Sequence, residues 1–262
     1  MKALILAAGV GSRLRPRTNQ LPKTLVAVNG KPIMGHILDA LQTVPLEEIV
    51  IVSGYLSEKI VGFTRSRKGN FRIVKNNRFR SSGNGYSLLL AREQLAGSDF
   101  FKIDADLIFD AEIATGLLAA PGDVRLVVEL KDNMGAEEMK IEVDRQGNIL
   151  DISKEIPPAR AWGESIGIEF CTAAGGRLLF AELESMIGAG LRQGYYEEAY
   201  ARLARKGAHV TATRVMPGQH WIEIDDERDL QRAKEMFPQR RGVRISYPKN
   251  IDNMTGASMS DE

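Results

Sequence analysis

The stretch that decides the fold is Ala3-Leu4-Ile5-Leu6-Ala7-Ala8-Gly9-Val10-Gly11-Ser12-Arg13, near the start of the chain. Its apolar first part, Ala3–Ala7, is near-continuous rather than alternating, which is typical of a strand buried on both faces of a parallel sheet. The two glycines that follow predict a loop at the carboxyl end of this strand. Ligands of open α/β sheets bind at that edge, so the same stretch predicts the position of a site.

Two more apolar runs, Ile49–Val52 and Phe100–Ile103, have the same character, and helical patterns lie between the runs. Strands that alternate with helices predict a right-handed, mostly parallel α/β sheet. The less regular second half predicts strands at Val124–Leu130, Lys140–Val143, Ile149–Ile152, Ile166–Phe170, His209–Val215 and Trp221–Asp225, and helices at Ala173–Ile187, Tyr196–Lys206 and Glu227–Met236. Because the pattern ends after Phe237, we expect one domain over residues 1–237 and a tail or linker over residues 238–262.

Composition excludes several classes of protein. Among 262 residues, 35 Lys and Arg nearly cancel 34 Asp and Glu, and a net charge of +1 argues against a nucleic-acid partner or an acidic membrane surface. No apolar stretch approaches the ~18 residues of a membrane helix, so we expect no membrane insertion. The single cysteine, Cys171, excludes an intramolecular disulfide and a Cys-rich zinc site. A cytoplasmic location fits these features.

The loop after the first strand carries residues suited to phosphate. Gly9 and Gly11 let backbone N–H groups approach phosphate oxygens, and Arg13 and Lys23 add positive charge. The loop is not the dinucleotide fingerprint, because a third glycine is missing, and it is not a P-loop, because no Gly-Lys-Ser/Thr closes it. A tight turn with solvated cations is the structural alternative.

The pattern Gly9-x-Gly11-Ser12-Arg13-Leu14-x-Pro16, followed by Pro22-Lys23 and Gly30-Lys31-Pro32-Ile33, resembles the nucleotidyltransferases that activate sugar phosphates and phospho-alcohols. Four further segments resemble the bacterial phosphocholine cytidylyltransferase branch: Asn76-Asn77, Gly83–Leu88, Lys102–Leu107 and Trp221–Asp225. Inositol-phosphate and aminoethylphosphonate cytidylyltransferases share much of this pattern. The resemblance extends to about Phe237. It implies a Rossmann-like three-layer α/β/α fold with a mixed, mostly parallel central sheet.

In the reaction that the resemblance implies, a phosphate oxygen of the acceptor attacks the α-phosphorus of CTP. Two unit anionic charges ~4 Å apart repel by about 4 kcal/mol at an effective dielectric near 20, so Mg²⁺ and fixed cations must offset the repulsion. By resemblance, Asp106 and Asp225 hold Mg²⁺, Arg13 grips the β- and γ-phosphates, and Lys23 stabilises the α-phosphate. The alternative for Asp225 is the N-cap of the following helix, a role that Asp226 could fill instead.

The resemblance also implies a nucleotide site. The base is expected against Leu6, Ala7, Ala8 and Gly9, with amide hydrogen bonds from Asn84 and Asn77. The full expected set is Leu6, Ala7, Ala8, Gly9, Gly11, Ser12, Arg13, Lys23, Asn77, Gly83, Asn84 and Asp104. A role for Asn84 in shaping its turn remains open beside base contact, and Lys31 is either a phosphate contact or a solvated lysine.

The expected acceptor site consists of Met139, Lys140, Lys154, Trp162 and Glu164. A quaternary ammonium needs an aromatic cage, and enzymes of the phosphocholine branch place an aromatic residue near the position of Met139. Since methionine lacks a π-face and Lys140 would repel a cation, the sequence favours a hydroxyl-rich or more anionic acceptor over phosphocholine. Lys154 is expected to clamp the acceptor phosphate or to pair with Glu155. Glu164 is expected to bind a hydroxyl or an ammonium, or to lie on the solvated surface.

The resulting hypothesis is a magnesium-dependent cytidylyltransferase. Its partners are CTP and a phosphorylated small alcohol or an alkylphosphonate, and pyrophosphate is the second product. One alternative is a sugar-1-phosphate nucleotidyltransferase that uses UTP or dTTP, and another is a non-catalytic nucleotide-binding regulatory module. A second catalytic domain beyond residues 238–262 and a homodimer are open alternatives that composition does not decide.

Overall fold

The computed structural model describes residues 1–131 and 134–238. Its strands are β1 (Lys2–Ala7), β2 (Ala27–Val28), β3 (Lys31–Pro32), β4 (Glu48–Ser53), β5 (Phe71–Lys75), β6 (Phe100–Asp104), β7 (Leu107–Phe109), β8 (Val124–Glu129), β9 (Lys140–Val143), β10 (Ile149–Ser153), β11 (Gly163–Cys171), β12 (Val210–Arg214) and β13 (Trp221–Glu223). Its α-helices are α1 (Ile33–Ala40), α2 (Ser57–Arg65), α3 (Asn84–Leu90), α4 (Arg92–Leu95), α5 (Ala111–Ala119), α6 (Ala173–Gly188), α7 (Tyr196–Arg205) and α8 (Glu227–Met236).

Nine strands form one central sheet, in which β5, β4, β1 and β6 run parallel in that order. Strand β11 joins β6 in the antiparallel sense and continues the sheet towards β9 and β10 and towards β8 and β12. The expected α/β class, with a mixed central sheet, is therefore confirmed. The less regular second half reflects the change of direction at β11.

Strand β1 shows why the first apolar run is continuous. Its alternate side chains enter two separate cores: Ile5 packs with residues of α1, α5 and α8, whereas Leu4 packs with residues of α3, α6 and α7. Both side chains are completely buried. A helix layer therefore covers each face of the sheet, as the continuous pattern predicts.

Some elements were not predicted. Strand β5 lies at the edge of the sheet and is only half buried, so its apolar signal is weak. The expected strand Trp221–Asp225 ends at Glu223 and pairs with β7 in a separate two-stranded sheet rather than in the central one. This small pairing holds the segment around Asp106 against the segment around Asp225.

Cys171 is buried in the core, as expected. Across the described residues, no helix is both long enough and apolar enough to cross a membrane. The tail expected over residues 238–262 lies outside the described residues from residue 239 onward.

Helix α8 begins with a capping box in which Asp226, not Asp225, is the N-cap. The Asp226 carboxylate accepts hydrogen bonds from the backbone N–H groups of Arg228 at 2.7 Å and Asp229 at 3.0 Å. The Asp229 carboxylate in turn accepts one from the Asp226 N–H. Of the two roles considered for this aspartate pair, Asp226 takes the cap.

We expect Asp226→Ala to lower the free energy of unfolding by about 1 kcal/mol, because two N–H groups of the first turn lose their partner. Asp226→Asn should retain most of the stability, since asparagine caps about as well as aspartate. Denaturant unfolding of the two variants measures the difference. Equal losses in both would show that the cap does not stabilise α8.

Candidate active site

A cavity of about 480 Å³ lies at the carboxyl ends of β1 and β6. Most of the expected nucleotide residues line it: Leu6, Ala7, Ala8, Gly9, Gly11, Ser12, Arg13, Lys23, Gly83, Asn84 and Asp104. Asp106 and Asp225 line it as well, together with three of the expected acceptor residues, Met139, Lys154 and Glu164. Asn77, Lys140 and Trp162 do not line it.

The pairing of β7 with β13 brings the two expected metal ligands together. Asp106 immediately precedes β7, and Asp225 follows β13 by two residues. Ladder contacts such as Glu223 opposite Leu107 place the strands side by side, and the Ile224 N–H donates to the Asp106 carbonyl at 3.0 Å. Two segments that are far apart in the chain are therefore held against each other by main-chain hydrogen bonds.

A third carboxylate, Glu223, joins this pair. One oxygen atom from each of Asp106, Glu223 and Asp225 lies within 4.8 Å of the others, a grouping that could hold a metal ion. The role of Glu223 was not predicted, although the sequence contained a signal. Glu223 and Asp225 are two residues apart at the end of a strand, so strand alternation places both side chains on one side.

Two cations face the carboxylates. The Lys23 ammonium donates to Asp106 Oδ2 at 2.7 Å and to Asp225 Oδ1 at 2.7 Å. Arg13 Nη2 also lies 2.7 Å from Asp225 Oδ1. The Lys23 side chain is 13% exposed, whereas that of Arg13 is 69% exposed. Of these two cations, Lys23 is therefore largely enclosed, whereas Arg13 extends into solvent.

Electrostatics holds Lys23 in its charged form. Burial lowers the pKa of its ammonium, but the charges of Asp106 and Asp225 outweigh burial and raise that pKa well above its ordinary range. For Glu223, loss of hydration and the repulsion of Asp106 and Asp225 raise the pKa to about 8. Three crowded carboxylates offer only hard oxygen donors, which fits Mg²⁺.

The glycine loop has a steric role beside its expected role towards phosphate. Gly11 has a φ of +64°, and a Cβ there would lie only 2.7 Å from the Cβ of Lys23. The loop is held in place because the Thr18 hydroxyl donates to the Gly11 carbonyl at 2.8 Å. By contrast, a Cβ at Gly9 would have open space. Gly11 is thus the glycine that allows Lys23 to reach the carboxylates.

Asp104 lies beside the carboxylate trio but has other partners. Its Oδ2 accepts a hydrogen bond of 2.5 Å from the Tyr196 hydroxyl, and its Oδ1 lies 3.0 Å from the Lys102 ammonium. Gly167, with a φ of +80°, makes room for it, because a Cβ there would lie 2.6 Å from Asp104 Oδ2. Asp104 therefore connects the cavity to a buried layer of charge beneath it.

Asn84 serves as a structural acceptor. Its Oδ1 accepts a hydrogen bond of 2.9 Å from the Tyr196 N–H in the first turn of α7. What Asn84 can still present to a base is its amide N–H donor. Asn77 is exposed, whereas its neighbour Asn76 is buried and donates to Ser82 and Ser87. The expectation that Asn77 contacts the base is therefore not supported by its position.

The expectation that Lys140 repels a cationic acceptor is contradicted by its position. Its side chain is buried and its ammonium donates to the Lys154 carbonyl at 2.6 Å. Trp162 likewise packs on the core instead of lining the cavity. Lys154, which does line it, pairs with Glu137 at 3.1 Å rather than with the expected Glu155.

The remaining ion pairs concern two residues whose roles were open, Glu164 and Lys31. Glu164 lines the cavity and pairs with Lys131. Lys31 pairs with Asp39 on α1 and does not line the cavity, so a phosphate contact is not supported.

Comparison with known proteins gives the family. Residues 3–208 match the family model described as the MobA-like NTP transferase domain. This chain belongs to the MobA-like NTP transferase family. The family resemblance noted in the glycine loop and the Pro22-Lys23 segment is thereby confirmed.

Among curated proteins of similar sequence, choline-phosphate cytidylyltransferase of Streptococcus pneumoniae is 43% identical over 106 residues, or 40% of this chain and 44% of that protein. CMP-5'-(3-aminopropyl)phosphonate synthase of Streptomyces rubellomurinus is 28% identical over 254 residues, or 94% of this chain and 40% of that protein. The chain thus matches less than half the length of either relative.

A solved structure of CTP:phosphocholine cytidylyltransferase from Streptococcus pneumoniae has the same fold. It superposes with a TM-score of 0.72 at 24% sequence identity, covering 90% of this chain and 98% of the other. The Rossmann-like α/β/α architecture of the NTP transferase family is therefore shared across nearly the whole described chain.

Substitution of Gly11 by alanine tests the steric role of this glycine. We expect Gly11→Ala to lower the free energy of unfolding by at least ~1 kcal/mol, because the left-handed backbone is strained and the new Cβ meets Lys23. Gly116→Ala in α5, where a Cβ has open space, is the control and should be neutral or stabilising. Thermal or denaturant unfolding measures both variants, and a neutral Gly11→Ala would refute the steric role.

Proposed function

We propose that this NTP transferase moves the cytidylyl group of CTP to a small phosphorylated or phosphonate acceptor and releases pyrophosphate. The observation that carries the proposal is the position of Lys23 between Asp106 and Asp225, at the edge of a cavity lined by the glycine loop. This arrangement offers cations to a triphosphate and hard oxygen ligands to a metal within one cleft.

The proposed residue roles follow from where the charges lie. Asp106 and Asp225, with Glu223 beside them, would hold Mg²⁺, which supplies charge neutralisation for the phosphates when bound. Lys23 would turn from the carboxylates towards the α-phosphate, and the more exposed Arg13 would reach the β- and γ-phosphates. Backbone groups of the glycine loop would orient the triphosphate.

The chemical step needs positioning more than proton transfer. An ionised oxygen of the acceptor forms a bond to the α-phosphorus, and the bond between that phosphorus and the α–β bridging oxygen breaks. The electron pair of this bond leaves with pyrophosphate. Because the attacking oxygen already carries a charge, no general base is required, and the residues contribute by in-line orientation and by stabilising the developing charge.

Two observations bear on the base: the first is compatible with cytosine and the second favours it. The amide N–H that Asn84 can present to the cavity suits the acceptor atoms on the edge of cytosine. The two curated relatives described above carry names with a cytidylyl product or activity. The sugar-1-phosphate alternative shares the same phosphate chemistry and differs only in base and acceptor.

Assay of the purified protein with Mg²⁺, each nucleoside triphosphate and a panel of acceptors tests the proposal. We expect pyrophosphate release with CTP and a small phosphate or phosphonate acceptor. Release with UTP or dTTP and a hexose-1-phosphate, but not with CTP, would favour the sugar alternative. Binding of a nucleotide without turnover of any acceptor would favour a regulatory module.

The metal role has a separate test. We expect Asp106→Asn to lower kcat by about 100-fold or more while the protein stays folded, because a neutral amide is a poor Mg²⁺ ligand. Asp39→Asn, which breaks an ion pair outside the cavity, is the matched control and should keep near-normal turnover. Steady-state kinetics with an unfolding curve for each variant measures this, and an active Asp106→Asn would contradict the metal role.

A further inference from the structure

One wall of the cavity carries a carboxylate that the proposed reaction does not use. Glu197 lies in the first turn of α7, lines the cavity and is 8% exposed. Its Oε2 is buried and no donor among the described residues forms a hydrogen bond with it. The neighbouring Tyr196 hydroxyl acts on the pKa of Glu197, but its proton is donated to Asp104 Oδ2 at 2.5 Å. A buried acceptor without a donor is costly, and most such atoms in proteins are paired. The position of Glu197 in the cavity wall indicates that its donor comes from a ligand.

The charges beneath this wall do not balance. Lys102 is completely buried, and its ammonium lies 3.0 Å from Asp104 Oδ1 and 3.0 Å from Glu169 Oε2. Glu197 also interacts electrostatically with Lys102 and Asp104. Lys102 thus faces three carboxyl groups, and Lys154, the second lysine that interacts with Glu197, is paired with Glu137 at 3.1 Å. Burial raises the pKa of Glu197 to about 7 and that of Glu169 to about 8, which shows how unfavourable the additional negative charge is there.

Each aromatic ring at the cavity already has a cation of the protein near it. In the described part of the chain, the aromatic residues that line it are Phe79, Tyr195 and Tyr196. Lys102 lies 3.4 Å from the ring centroid of Tyr196, Arg80 lies 5.3 Å from that of Phe79, and Lys154 lies 5.7 Å from that of Tyr195.

The two tryptophans do not complete a cage either. Trp162 packs on the core, and the Trp221 indole N–H donates to Glu129 at 2.5 Å; neither lines the cavity. A cage for a quaternary ammonium is therefore not assembled from these residues, whereas a hydrogen-bond acceptor with excess negative charge is present.

From this geometry we infer that Glu197 binds a protonated amino group of the acceptor, so that the acceptor is an aminoalkyl phosphate or an aminoalkylphosphonate. The inference rests on the proposed function and deepens it. Glu197 Oε2 accepts a hydrogen bond from the ammonium N–H, and the ammonium supplies the positive charge that Lys102 and the Glu137-paired Lys154 do not provide.

The position of Asp104 fits an acceptor with a short chain. Asp104 precedes Asp106 by two residues, and its carboxylate accepts a hydrogen bond of 2.5 Å from the hydroxyl of Tyr196, the residue before Glu197. The ammonium subsite and the carboxylates that would hold the metal therefore belong to the same cavity, with Asp104 in contact with the neighbour of each. A phosphorus group at Asp106 and an amino group at Glu197 would belong to one small molecule.

A comparison of acceptors tests the inference on the unaltered protein. With CTP and Mg²⁺, we expect kcat/KM to be at least ~30-fold higher for 2-aminoethylphosphonate than for ethylphosphonate, because ethylphosphonate leaves a buried carboxylate unpaired. Phosphoethanolamine should be favoured over phosphocholine, since a trimethylammonium has no N–H to donate. Equal use of ethylphosphonate, or a preference for phosphocholine, would overturn the inference.

The variant Glu197→Gln tests the residue itself. It should reduce the preference for 2-aminoethylphosphonate over ethylphosphonate at least ~10-fold and leave the KM for CTP unchanged. Glu198→Gln is the matched control, because Glu198 is the next residue, is partly exposed and pairs with Arg202 on the surface of the helix. An undiminished preference in Glu197→Gln would remove Glu197 from the subsite. If this variant fails to fold, the acceptor comparison alone decides.

Failure of this inference is distinguishable from failure of the proposed function. Turnover of ethylphosphonate with CTP as efficient as that of 2-aminoethylphosphonate would keep the cytidylyl transfer and reject the subsite. If none of the acceptors supports pyrophosphate release from CTP, the proposed function fails. In that case, calorimetric titration with 2-aminoethylphosphonate and with ethylphosphonate still tests the ammonium subsite. The subsite requires that the amino compound binds more tightly.

Discussion

The structure of the cleft depends on the Lys23 ammonium, which bridges Asp106 and Asp225. These two aspartates crowd together with Glu223, and unit charges of one sign ~4 Å apart repel by about 4 kcal/mol at an effective dielectric near 20. A cation must therefore lie between the carboxylates, and Lys23 takes this place when no metal ion is bound. Lys23 is separated from Asp225 by 202 residues, so this one contact ties the start of the domain to its end. Gly11 and the pairing of β7 with β13 make the contact sterically available.

The cavity has two charged regions of different character. The region around Lys23 and Arg13 is half open, so its cations can exchange carboxylate partners for phosphate oxygens. The region around Lys102 and Glu197 is closed to water on its inner side, so its excess negative charge cannot be relieved by hydration. Asp104 connects the two. A ligand that is anionic at one end and cationic at the other would match this polarity better than a uniformly anionic one.

The sequence predicted what depends on local pattern and not what depends on packing between distant segments. The buried strands, the glycine loop and the separation of roles between Asp225 and Asp226 all follow from neighbouring residues. Glu223 was missed even though alternation places it beside Asp225. The buried group around Lys102 was missed because Lys102, Glu169 and Glu197 come from three different elements, and a lysine in an apolar strand gives no sign of its partners.

The expected acceptor depended on the position of Lys140. The sequence placed its ammonium at the acceptor, where it would repel a cation, but the side chain is buried elsewhere. Met139 lines the cavity and Lys140 follows it directly at the start of β9, and adjacent residues of an extended chain point to opposite sides. Met139 and Lys140 could not both face the acceptor, so the Lys140 side chain points away from it. Its ammonium donates hydrogen bonds to the backbone carbonyls of Glu138 and Lys154. Without that charge, the wall still contains Lys154, but this lysine is paired with Glu137, and the Glu197 carboxylate keeps an oxygen without a donor. The argument against a cationic acceptor therefore becomes an argument for one, and the cations already near the aromatic rings favour an acceptor cation that can donate hydrogen bonds.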